Sequence, residues 1–142
     1  MPHQGMVQAL LEAHRVLKPG GLLIDLRPAA VHRRVGIIED GEYKLLWRMR
    51  EGFDDDHAAD RAVADVIERG LFKQTGRTRF PCFRTMDNIA EFREWLVDFV
   101  ERNGHEPHDW LDRRLEKKLT ASPPKTKIAV SAPLVLRVLR KL

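Results

Sequence analysis

The residues with the most chemical potential in this 142-residue chain are thinly spread. Of six histidines, only His105 and His108 approach a ligand spacing. Pro107 interrupts that pair and no third ligand lies nearby, whereas a zinc site draws on three or four protein side chains. No metal site is expected. Cys82 is the single cysteine, so it forms no internal disulfide and shares no metal with a second thiol. Set between Phe80 and Phe83, it reads as a small apolar filler. Ser122 and Ser131 lack the glycine-flanked turn that exposes a hydrolase nucleophile, which leaves acyl transfer without a foothold. Asp54, Asp55 and Asp56 stand just ahead of an apolar-periodic stretch, where they read as capping and dipole charges of a helix start and not as metal ligands.

The elements that must position any site are clearer. Met6, Leu10, Ala13 and Leu17 recur at helical spacing, which predicts an amphipathic helix over 4–17 that "KPGG" ends, Pro19 being unable to continue it. "LLIDL" follows as a short apolar run, the pattern of a strand covered on both faces inside an α/β sheet. Two β-prone runs flank Asp40-Gly41, a dipeptide suited to a two-residue hairpin turn because both turn positions need positive φ. A helix from the acidic triplet runs to Gly70. A strand pair is expected around "FKQTGRTRFPCF", restricted by Pro81 to an edge or a bulge. Asn88 and Glu91 form a capping-box pattern ahead of a stripe of Ile89, Phe92, Leu96, Phe99 and Val100, with Trp95 at its rim and Gly104 as its stop. "HEPHDW" leads into a last helix that "SPPK" ends, and "TKIAVSAPLVLRVLRK" reads as one bent strand or two short ones.

Within this scheme "ALLEAHRVLKPGGLLIDLRP" closely resembles the segment of class I S-adenosylmethionine-dependent methyltransferases in which a helix leads through a "RVLKPGG" turn into the fifth strand. The resemblance implies an α/β fold: a truncated Rossmann-like methyltransferase sheet, made of C-terminal strands with their helices, plus a β-hairpin insertion. It implies a single domain over 1–142, the C-terminal half of such a unit. The family holds its cofactor on a glycine-rich turn after the first strand. Here Gly20 and Gly21 belong to a helix-to-strand reversal, and Gly36 and Gly41 to a hairpin. The cofactor-binding half is therefore expected to be missing, and the chain by itself is expected to bind no cofactor, S-adenosylmethionine entering only if a partner supplies that half. The one inherited location is the carboxyl end of the "LLIDL" strand, where open α/β sheets place ligands. Asp25 and Arg27 are the pocket-edge candidates there, with His3 facing them from the loop before the first helix. No catalytic residue is assigned. Methyl transfer needs little beyond positioning, so enzymatic activity stays open.

The net charge of +4 is uneven: residues 1–100 sum to −1 and 101–142 to +5. Arg113, Arg114, Lys117 and Lys118 alternate with Leu111, Leu115 and Leu119 as on a solvated helix face, so nucleic acid is not the expected partner. The short apolar runs and the lack of a signal-peptide pattern predict a soluble, cytoplasmic protein without a membrane span. Three functions follow: a methyltransferase-like fragment, not catalytic alone, surviving as an oligomer; one subunit of a split methyltransferase completed by a separate cofactor-binding chain; or a nucleic-acid-binding module built on residues 102–141. The first is favoured, with a homodimer formed through the 21–27 strand edge and the 4–17 helix.

Overall fold

The computed structural model describes residues 3–50, 52–103 and 110–142. It has mixed α/β architecture: four helices and seven strands among the described residues, the strands in two antiparallel sheets. The chain forms two compact units: residues 1–30, 53–80 and 133–142 make the first, and 31–52 and 81–132 the second. The second unit thus consists of two excursions out of the first.

The first unit reads α1 (His3–Val16), β1 (Leu22–Pro28), α2 (Asp54–Glu68), β4 (Phe72–Phe80) and β7 (Leu134–Lys141). β7 is the central strand, antiparallel to β1 on one side and β4 on the other. The predicted helix stop is built as expected. Gly20 adopts φ 76°, and the Gly21 amide donates to the Lys18 carbonyl at 2.8 Å. Lys141 at the far end of β7 sews this turn down: its Nζ donates to the His14 and Leu17 carbonyls, and its amide to that of Gly21. The last carbonyls of α1, which have no partner within the helix, are satisfied in this way. Leu10, Leu11, Leu17 and Leu23 pack against a core of Val63, Val66, Phe72 and Leu139. Gly70, at φ 72°, follows the end of α2 as predicted.

β1 corrects the expected burial. It is covered on one face only: Leu23, Asp25 and Arg27 are half-buried, while Leu22, Ile24 and Leu26 are 54%, 54% and 51% exposed. It is also an edge strand, its one partner among the described residues being β7.

The second unit holds β2 (Arg34–Glu39), β3 (Glu42–Arg48), β5 (Phe83–Met86), α3 (Ile89–Asn103), α4 (Leu111–Thr120) and β6 (Lys127–Ser131), with strand order β3-β2-β6-β5. Asp40 and Gly41 take φ 52° and 78°, so the hairpin forms where predicted, but as half of this sheet. The capping box is met in one half: the Glu91 amide donates to Asn88 Oδ1 at 3.0 Å, while Glu91 Oε2 accepts from the Asp87 amide at 2.8 Å, one residue before the N-cap. Trp95 is not at a rim. It is buried between Phe92 and Phe99 with ring centroids 5.7 and 5.2 Å away, since i+3 and i+4 neighbours on a helix share a face. Leu111 and Leu115 join that core while the four bases of α4 stay exposed.

Two further expectations are revised. "FKQTGRTRFPCF" is not a strand pair, because β4 pairs with β7 and β5 with β6, in different sheets. Pro81 marks the change of sheet, and β6 and β7 are likewise two strands divided at Ala132-Pro133. Cys82 is exposed rather than filling a core, as are its neighbours Phe80 and Phe83.

Gly36 sits where β2 and β3 shift register. A Cβ there would collide with the Lys44 carbonyl oxygen and press on the Tyr43 ring at 3.1 Å. Gly36→Ala should therefore lower stability by about 3 kcal/mol, since a backbone atom cannot give way as a side chain can; urea titration followed by tryptophan fluorescence would read it. Tyr43, the sole tyrosine, has a buried hydroxyl without a hydrogen-bond partner among the described residues, and burial pushes it up to about 12. A folded-state value above the ordinary 10 means that stability is fully present below pH 10 and is lost as pH rises through about 12. Absorbance at the phenolate band should give a single midpoint near 12, falling to the ordinary value in denaturant.

Candidate functional site

Asp25 and Arg27 lie two residues apart on β1, so both side chains leave the strand on the same face. That face is the one carrying the half-buried residues. Arg27 grips Asp25 with two parallel bonds, Nε to Oδ1 at 2.7 Å and Nη2 to Oδ2 at 2.9 Å. Arg137, opposite Asp25 in the β1–β7 register, reaches Asp25 Oδ2 at 3.4 Å. Asp60 of α2 closes the set, accepting from Arg27 at 3.1 Å and from Arg137 at 3.0 Å.

The four form a ring in which each carboxylate touches both guanidinium groups. Asp25 and Arg137 are the most enclosed, their side chains 14% and 13% exposed, while Asp60 opens towards solvent at 45%. The bidentate bond to Asp25 is the main reason the Arg27 guanidinium holds its proton more tightly than usual. Asp56, one helical turn before Asp60, feels the same charge: burial raises its carboxyl above the ordinary range, and Arg27 pulls it part of the way back.

Such a ring is matched in charge and satisfied in hydrogen bonds, and its evident work is to tie α2 across β1 and β7. It contains no hydroxyl, thiol or imidazole, and both of its carboxylates are engaged by the guanidinium groups. The structure joins two of the three predicted candidates, Asp25 and Arg27. His3 is the first residue of α1 rather than part of a preceding loop, and is exposed. Sequence reasoning missed Asp60 and Arg137. Each had a signal: Asp60 sits amid the small buried residues Ala58, Ala62 and Val63, and Arg137 interrupts "LVLRVL" in a strand with both neighbours paired. A charge at a core-facing position calls for an opposite charge nearby.

The acidic triplet opens α2, whose N-cap residue is Phe53, and places negative charge at the helix start. Among the described residues no group of three or more histidine, cysteine or acidic side chains is placed to hold a metal. His105 and His108 lie outside the described residues. No described helix is long and apolar enough to cross a membrane. Comparison with protein-family models, curated proteins and solved structures gives no match to this chain.

Removing Arg137 would leave Asp25 and Asp60 sharing one cation in a half-buried setting. Arg137→Ala should cost about 3 kcal/mol. Arg15→Ala, which breaks an exposed bridge to Glu12, should leave the unfolding midpoint unmoved. Equal effects from the two changes in chemical denaturation would contradict the structural role given to the ring.

Proposed function

We propose that the first unit is the closing part of a class I S-adenosylmethionine-dependent methyltransferase-type sheet, not catalytic by itself, which works as an assembly through the β1 edge. The observation that carries this reading is the state of β1. The strand that follows the "RVLKPGG" turn is an edge strand, and one of its faces presents Leu22, Ile24 and Leu26 to solvent. An α/β sheet buries both faces, and an apolar edge of this kind is a template for a further strand. Covering three half-exposed aliphatic side chains is worth about 1 kcal/mol each.

The expected dimer changes in one respect. Leu10 and Leu11 of α1 already pack on the core of their own unit, and Val16 is the large apolar side chain of that helix left well exposed. The association surface is instead the β1 edge with the Leu22, Ile24 and Leu26 face. A copy of the same chain is the first candidate occupant, because a two-fold axis lets an edge pair antiparallel with itself.

Two measurements separate the parts of this reading. Light scattering should find a dimer at about tens of micromolar, and Ile24→Glu, which places a charge at an exposed position, should weaken association at least about tenfold while stability changes by less than about 0.5 kcal/mol. A wild-type monomer at that concentration would overturn self-association. Titration calorimetry of the purified chain with S-adenosylmethionine should show no saturable binding below about 1 mM. Low-micromolar binding would overturn the claim that the chain lacks a cofactor site of its own.

A further inference from the structure

The second unit contains a groove that owes nothing to the methyltransferase reading. It has a volume of about 460 Å³ and runs between β3 and α4. Its apolar floor includes Ile37, Leu45 and Leu46, and Arg114, Lys117 and Lys118 border it from the helix. Three features bear on what fits there.

The first is a free strand edge. β3 ends the order β3-β2-β6-β5, so β2 is its one strand partner among the described residues. Glu39 and Glu42 close the two-residue turn, which places Tyr43, opposite Ile38, at a non-hydrogen-bonded position. The Tyr43 amide and carbonyl therefore point away from β2.

The second is the way α4 sorts its charges. Asp112 and Glu116 are both engaged by Arg93 of α3, at 3.0 and 3.1 Å. The acids are thus held on the α3 side, and Arg114, Lys117 and Lys118 line the other. Lys117 and Lys118 have no carboxylate partner among the described residues, and Arg114 lies over the Trp110 ring at 5.7 Å. Lys44, also on the groove, is already paired with Glu39 at 2.6 Å, so the surplus positive charge comes from the helix.

The third is the match of shape to charge. A strand edge facing a helix across an apolar trough is the arrangement by which sheets take up an extended peptide, main-chain hydrogen bonds giving affinity and alternate side chains entering the trough. A nucleic acid would draw on the same cations but would make no use of the edge or the aliphatic floor.

We infer that the β3–α4 groove binds an extended acidic peptide segment as an added strand on β3, its apolar side chains on Leu45 and Leu46 and its carboxylates on Lys117, Lys118 and Arg114. The test uses fluorescein-labelled peptides of seven residues, the length of β3, with glutamate alternating with valine, leucine, phenylalanine or tyrosine. Comparison probes are a lysine-for-glutamate series, the same acidic peptides N-methylated at every backbone amide, and a short DNA duplex.

Fluorescence anisotropy with the full chain should show at least one acidic peptide binding at about 10–100 µM. The lysine series should be weaker by at least about tenfold, as should the N-methylated peptides, whose charge is intact but whose main chain cannot join a sheet. K117E/K118E alters two exposed residues and should weaken the acidic peptides at least about tenfold with an unchanged circular dichroism spectrum. The inference fails if no acidic peptide binds by about 1 mM, if N-methylation makes no difference, or if the duplex binds more tightly than every peptide.

Discussion

Arg137 is the constraint around which the first unit is arranged. It is a guanidinium on a central strand with little access to water, and a cation so placed is tolerated only when opposite charge and hydrogen-bond acceptors come to it. Asp25 arrives from β1 through strand register and Asp60 from α2 through helix packing, so one buried charge fixes a neighbouring strand and the covering helix together. Arg27 balances the second carboxylate. The same pairing that fastens the sheet consumes the polar groups expected at a pocket edge, and for that reason the functional reading rests on the uncovered side of β1 and not on the ring.

That uncovered side is the clearest departure from a self-sufficient α/β layer. α1 and α2 are held against the sheet by leucine and valine contacts and by the Lys141 clamp, and the side chains they cover are those of Leu23, Asp25 and Arg27. The alternate residues, Leu22, Ile24 and Leu26, have side chains as apolar as any in the core but stay about half exposed among the described residues. A strand of period two cannot hide both sets with helices on one face. The methyltransferase-type reading and the assembly reading draw on the same fact.

The second unit solves a different problem with different means. Its core is an aromatic ladder on α3 set against the aliphatic face of β2 and β6, and α4 contributes Leu111 and Leu115. The acids of α4 serve the α3 contact, which leaves its basic side next to a free strand edge. The basic character of the C-terminal third, visible in composition, becomes a directed feature only because Arg93 removes the acids from that side.

Several elements were legible because their causes are local. Asp40-Gly41 makes its hairpin since both residues tolerate positive φ, Asn88 Oδ1 and the Glu91 carboxylate take up the Glu91 and Asp87 amides at the start of α3, and "KPGG" stops a helix whatever lies beyond it. Strand partnership was not legible: "FKQTGRTRFPCF" reads as a strand pair and "IAVSAPLVL" as one bent strand or two, yet in both the chain leaves one sheet for the other near a proline, a choice made by residues far away in sequence. The burial of Trp95 depended on how α3 rolls against its sheet, and the exposure of Leu22, Ile24 and Leu26 on what covers β1. The sequence by itself determined the turns at Gly20, Asp40-Gly41 and Gly70 and two of the four charges in the ring, the Gly104 stop expected for α3 lying outside the described residues. Only the tertiary structure decided which strands pair, which faces are covered and how Asp60 and Arg137 join Asp25 and Arg27, because pairing and burial are properties of distant segments brought together and leave no short-range signature of the partner.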